Sequence, residues 1–435
     1  MSIQSLLIKH SALFLMLKNK ELLIFLYFLL VILGLSNSIG DNFYHEYRII
    51  QVALLLIFGL WAVVKNQYRV GKGEWLFLIF IAGGSVFWQQ PLFIIIDLLV
   101  AYLLFKGFQV LDYNELITKM MVLGSLVLFL MLPVALLDYV TSGTYIANWY
   151  PLSWNIRVYN SYFLILSIFA TWFYINSQRY KNVYLLFLFL AFFAVLLDAG
   201  RSVTLAYTAF IIIVAVYYNT VRLPLILTYI ASWLAYLTIT YAANFGSASL
   251  SIIRESSSGR IELWVNGLQC WTQQPIIGCG FYQLEQYPHL SAHPHNIFIQ
   301  VLTETGIIGF GLLAFILINL ARHISWNLKQ NAFVIAALLA IVIDMSLSGI
   351  HIYPITQMAL LWLLVFLLKN PAFAHAQYFI QLPKNIPVIQ KYVSFVIVLI
   401  LALIFCYVFI NTGIFSDDIP STPPRFWGYG YHLFS

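Results

Sequence analysis

The chain has 435 residues, 62% of them hydrophobic and only 9% charged, with a mean hydropathy of +0.88. A soluble domain cannot hide that much apolar surface, whereas a bilayer solvates it, so the composition excludes a water-soluble globular protein. The formal charge of +6 does not point to nucleic acid, because the basic residues stand singly between apolar runs and form no patch.

A membrane-crossing helix needs roughly 20 residues, and about thirteen apolar runs approach that length. In chain order they cover 22–39, 49–64, 75–88, 91–108, 117–138, 159–175, 183–197, 203–218, 223–243, 297–320, 331–347, 354–368 and 393–411. The shorter ones cross by tilt or local thinning. The first run has no small-residue cleavage site behind it and is expected to persist as a membrane helix. The fold expected is an all-α polytopic membrane protein with about 12 or 13 transmembrane helices. N-terminal transmembrane helices fill 1–243, a large loop spans 244–296, C-terminal helices fill 297–411 and a short tail covers 412–435.

Basic residues set the orientation. With the N-terminus in the cytoplasm, the inside segments hold Lys9, Lys18, Lys20, Lys65, Arg69, Lys72, Lys106, Lys119, Arg179, Lys181, Arg222, Arg322, Lys329, Lys369, Lys384 and Lys391. This arrangement satisfies the positive-inside rule, and its reverse violates it in almost every loop. The basic residues left outside are Arg48, Arg157, Arg201, Arg254, Arg260 and Arg425. None of them is a lysine. Orientation alone would accept either residue, but arginine's planar fork grips phosphate or carboxylate oxygens bidentately. The outside set therefore suggests an anion site. The alternative is pairing with nearby Asp41, Glu46, Asp138, Asp198, Glu255 and Glu262.

Within the large loop, SSSGRIELWVNGLQCWTQQP reads as a helix started by Ser or Gly and stopped by Pro275. Arg260, Trp264, Leu268 and Trp271 recur at helical spacing and would share one face. Such a face could lie on the membrane surface or close over a cleft, with the glycines of GCGF at 278–281 as a hinge. Cys270 and Cys279 could pair if the loop is oxidised.

HPHN follows at the mouth of the next membrane helix, with Asn296 as its expected N-cap. His293 or His295 could accept a proton near neutral pH, could ligate a metal as a His-x-His pair, or could only pack. Glu304, two turns on, needs a partner at that depth. Short outside turns add Asp198 with Arg201, Arg157 in WNIRVYN, and His351 with Asp344 on the helix before it. Asp97 is the clearest charge inside an apolar run. A transporter would gather such charges at the midplane and show repeated halves; here the polar residues collect at one face, which favours an enzyme.

Taken in order, the GRS of 200–202, Arg260 ahead of Trp264, PIIGCGF and HPHNIFIQVLTETGIIGF resemble the superfamily of O-antigen ligases, O-antigen polymerases and O-linked oligosaccharyltransferases. The likeness covers about 150–370. It implies a GT-C-like fold in the bacterial inner membrane, with the active site in the periplasm. It also implies transfer of a glycan from undecaprenyl pyrophosphate to an acceptor hydroxyl, without nucleotide sugar, cofactor or metal. Carried onto this chain, the resemblance makes His295 the base with His293 as second choice. Arg201, Arg260 and Arg157 become pyrophosphate ligands, and His351, Asp344, Glu304 and Asn296 become supports. NIRVYN, SGIHIYPITQ and PRFWGYGY look most like the branch that glycosylates pilin-like proteins. Ligation to lipid A-core, polymerisation and flipping of the lipid-linked glycan are the alternatives.

Overall fold

The computed structural model describes residues 72–87, most of 100–109, 115–147, 149–150, 156–177, 179–244, 259–280 and 293–370, with a few single positions besides. The runs expected at 22–39, 49–64 and 393–411, the tail, Arg48, Asp97, Arg254 and Arg425 lie outside the described residues.

Every described element is helical: α1 Lys72–Phe87, α2 Glu115–Gly124, a 3-10 turn Ser125–Phe129, α3 Leu132–Ser142, α4 Ile156–Asn176, α5 Lys181–Leu197, α6 Arg201–Tyr217, α7 Arg222–Ala243, α8 Arg260–Gln273, α9 Ile297–His323, α10 Leu328–Leu347 and α11 Pro354–Leu368. Five stretches are long and apolar enough to cross a membrane: Glu115–Ser142, Arg157–Asn176, Arg222–Ala243, Ile297–His323 and Leu328–Leu347. The first of these, expected as one helix over 117–138, is interrupted by the 3-10 turn. Pro133, at the start of α3, has no N–H to give the preceding turn, so the α-helix restarts there.

Helix α4 is the hub. Of its apolar stretch 89% is buried within the protein, against 22% for α7. A helix apolar on all sides belongs inside a bundle, and α4 packs on α5, α11 and α2. The most extensive helix pair is α6 with α10. On α7, Leu223, Leu227, Ile230, Leu234, Leu237 and Tyr241 form an exposed apolar stripe suited to lipid.

Helix order brings the start of α4, the α5–α6 turn, the start of α9 and the α10–α11 turn to one end of the bundle. The α4–α5, α6–α7 and α9–α10 connections and the end of α11 lie at the other. They carry Arg179, Lys181, Arg222, Arg322, Lys329 and Lys369. The described basic residues at the first end, Arg157, Arg201 and Arg260, are all arginines.

Candidate active site

Helix α8 lies against the first turns of α9 through Leu263, Gly267 and Cys270. The contact runs through positions other than Arg260, Trp264, Leu268 and Trp271. Leu268 is exposed, and the Trp271 indole turns to donate to the Pro275 carbonyl. Contact through position 267 follows from size, since a Cβ there would already approach Thr303 Oγ1 to 3.0 Å. Trp264 does face the HPHN segment, where its Nε1 donates to the Pro294 carbonyl at 2.8 Å. On the far side Asn296 caps α9, its Oδ1 accepting from the amides of Phe298 and Ile299 at 2.9 and 3.1 Å. His295 is held between these two anchors at φ 53, a left-handed conformation that disfavours a residue with a Cβ. Strain of this kind, about 1–3 kcal/mol, persists only where its surroundings over-determine it.

Gly278 and Cys279 of the GCGF segment pack against α9. Helix α9 breaks at Gly306, whose φ of 63 and ψ of −163 leave helical space. The 275–279 loop fills the break, with Cys279 N donating to Thr303 O, and Ile307 N and Ile308 N to Pro275 O and Ile276 O. Cys270 and Cys279 form a disulfide that ties this loop to the end of α8.

Arg157 in the first turn of α4, the Asp198–Val203 turn, Arg260 at the start of α8, and Ser348 after α10 line one cavity together with Asn160. Its volume, about 80 Å³, holds several waters or one phosphate-sized group. Three arginines from distant segments thus converge on one space. Burial holds Arg260 below its usual pKa, and the charges of Arg157 and Arg201 add to that effect. Its buried Nε has no hydrogen-bond partner. A cluster of like charges with an unused buried donor is arranged for an anion.

His295 does not line the cavity itself; it is 3% exposed and joined to the cavity through Arg157, with Nε2 2.8 Å from Arg157 Nη1. A guanidinium can only donate, so Nε2 accepts and the imidazole carries its proton on Nδ1. Burial, then the charges of Arg157 and Arg260, press its pKa well below the ordinary 6.5. His295 is therefore neutral at pH 7, and its lone pair is already engaged. His293 packs edge-on beneath it, and its Nδ1 accepts the His295 amide at 3.3 Å. It supports the strained residue from below. Among the described residues no group of three or more His, Cys, Asp and Glu is placed to hold a metal ion.

The expected supports divide. His351 Nε2 meets Gln300 Oε1 at 3.0 Å, and Gln300 Nε2 reaches Glu304 at 3.5 Å. Glu304, 7% exposed, thus has a partner within α9. Asp344 turns the other way, accepting Ser161 Oγ at 2.7 Å and a bond from Ser202, with its charge toward Arg260.

Sequence reasoning named Asp198 but passed over its partners, and it passed over Asn160, which lines the cavity. Asp198 accepts the Tyr145 hydroxyl at 2.8 Å and the Tyr150 hydroxyl at 2.6 Å, and Trp149 Nε1 donates to Tyr145. Burial pushes Asp198 up to about 7 while the two phenols pull it down. Burial and the Asp198 charge raise both phenols, so they stay protonated donors. Asn160 lies so close under the α5–α6 turn that a Cβ at Gly200 would meet its Nδ2 at 2.7 Å, so a larger residue there would displace the Asn160 side chain. Asn160 and Ser161 follow Arg157 by three and four residues, a helical-face signal present in NIRVYNSY.

Residues 186–314 match the family model described as O-antigen ligase. The matched region carries Asp198, Arg201, Arg260, His293, His295 and Glu304, while Arg157, Asp344 and His351 lie outside it. An O-antigen ligase-like region with apolar helices supports a glycan-transferring enzyme of the membrane. No curated protein and no solved structure matches the chain.

Proposed function

We propose that this protein moves a glycan en bloc from undecaprenyl pyrophosphate to an acceptor hydroxyl at the periplasmic face of the inner membrane. The observation that carries the reading is the convergence of Arg157, Arg201 and Arg260 on one cavity beside a strained, neutral histidine. A lipid-anchored diphosphate leaves close to the membrane surface, where this end of the bundle carries arginines and the other end lysines as well.

The acceptor oxygen attacks the anomeric carbon of the first sugar, and the bond from that carbon to the phosphate oxygen breaks. Its electron pair leaves with the diphosphate. The arginines hold the charge that develops, the electrostatic contribution that usually dominates such catalysis. His295 takes the hydroxyl proton on Nε2, and its lowered pKa keeps that nitrogen unprotonated at neutral pH. No metal or other cofactor enters the scheme.

The acceptor we assign is Ser or Thr of a pilin-like protein, on the likeness of NIRVYN, SGIHIYPITQ and PRFWGYGY to that branch. Ligation to lipid A-core is the second reading, favoured by the description of the matched family. Purified protein is given undecaprenyl-pyrophosphate-linked glycan with pilin or with lipid A-core, and His295→Ala serves as control. Glycosylated pilin that disappears in the variant is the expected result. Transfer to lipid A-core alone establishes the ligase, and transfer to neither removes both readings.

A further inference from the structure

Arg157 belongs to two constellations at once. It lines the arginine cavity, and its Nη1 also occupies the only lone pair of neutral His295. A base must have that pair free before it can accept a proton, and the other ring nitrogen, Nδ1, carries the hydrogen. His295 Nδ1 is buried with no hydrogen-bond partner, so the ring gains nothing by reversing its tautomer in place. Trp264 and Asn296 hold the backbone on either side of it, which keeps the imidazole from moving away. Of the two side chains, the arginine has the more rotatable bonds and is the one able to reorient.

We propose that Arg157 couples donor binding to base release: an anion in the cavity draws the guanidinium off His295 Nε2, and only then can His295 receive the acceptor proton. The proposal rests on the diphosphate reading given above. Phosphate oxygens accept two parallel bonds from one guanidinium and carry the opposite charge, whereas the neutral imidazole offers a single acceptor atom and no charge. The exchange therefore runs toward the anion. Its consequence is order. The base becomes competent only beside a loaded donor, and an acceptor hydroxyl arriving first finds the lone pair covered. Arg157 thereby acts as a positioning residue for His295 as well as a ligand of the leaving group.

The test is a double-mutant cycle on anion binding, which separates coupling from two independent roles. Inorganic pyrophosphate is titrated calorimetrically into the detergent-solubilised full chain. If Arg157 must be drawn off His295, then deleting the imidazole acceptor frees the guanidinium in advance. His295→Phe and His295→Ala should then each bind pyrophosphate more tightly, by about tenfold, the size of one hydrogen bond to a charged group. Arg157→Gln should bind it more weakly, and adding His295→Phe to Arg157→Gln should give no gain. Equal or weaker binding by both His295 variants, with Arg157→Gln still weakened, overturns the coupling and leaves the arginine clamp standing. Wild-type affinity in Arg157→Gln, Arg201→Gln and Arg260→Gln alike overturns the coupling and the clamp together.

Discussion

The backbones of Gly278 and Gly306 press together where α9 breaks: a Cβ on Gly306 would lie 2.5 Å from Gly278 N and 2.3 Å from Ile276 O. This contact joins the loop after α8 to the membrane helix that begins with the HPHN segment. Both glycines have positive φ, so each is constrained by conformation as well as by space. Gly306→Ala should therefore destabilise the fold by about 2 kcal/mol or more. Thermal unfolding in detergent checks this, and an unchanged midpoint would mean that the two segments are not wedged.

The Cys270–Cys279 disulfide closes a short loop over the same junction. Loop-closure entropy for that length corresponds to about 2–3 kcal/mol. Cys270→Ser with Cys279→Ser should lower the unfolding midpoint and leave the chain able to cross the membrane. In the wild type, maleimide should label these cysteines only after reduction. Labelling without reduction would place the loop in a reducing compartment.

Asp198 gives a pH prediction with a definite sign. Its carboxyl titrates near 7 in the folded protein, above the ordinary 3.8, so across that interval the native state holds more protons than the unfolded state. Stability should fall as pH rises through the window, by up to about 1.4 kcal/mol per pH unit, and level off above it. Asp198→Asn should flatten the curve. Tyr150→Phe removes one of the bonds that lower the pKa and should extend the decline to higher pH. Unfolding midpoints measured from pH 4 to 8 decide it; parallel curves for wild type and Asp198→Asn would contradict the assignment.

How much of this was legible in the sequence differs by kind of residue. Among the described residues the helices were, because apolar runs of membrane length have few other uses. The three arginines that line the cavity stood out as well, because the choice of arginine over lysine is chemical and survives without coordinates. The packing face of α8 was not legible: spacing groups Arg260, Trp264, Leu268 and Trp271 without saying which face packs, and Gly267 marks the contact only once Thr303 stands against it. GCGF read as a hinge because glycine permits motion. It permits close packing equally well, and only the partner at Gly306 distinguishes the two. Tyr145 and Tyr150 carried no signal in the sequence, because Asp198 meets them only through the fold, 53 and 48 residues away. His351 and Asp344 looked like a pair because they are near in sequence, yet the turn between α10 and α11 sends them to different helices.

The central claim, that the arginine cavity holds the leaving diphosphate, is tested most directly by transfer rates of charge-preserving variants. Single-turnover transfer from undecaprenyl-pyrophosphate-linked glycan would be compared for wild type, Arg201→Lys and Arg260→Lys, with folding checked by unfolding midpoint. Lysine keeps the charge and loses the fork, so each variant should fold normally and slow by about a hundredfold, the usual cost of one lost transition-state donor. Wild-type rates in both lysine variants would contradict the account.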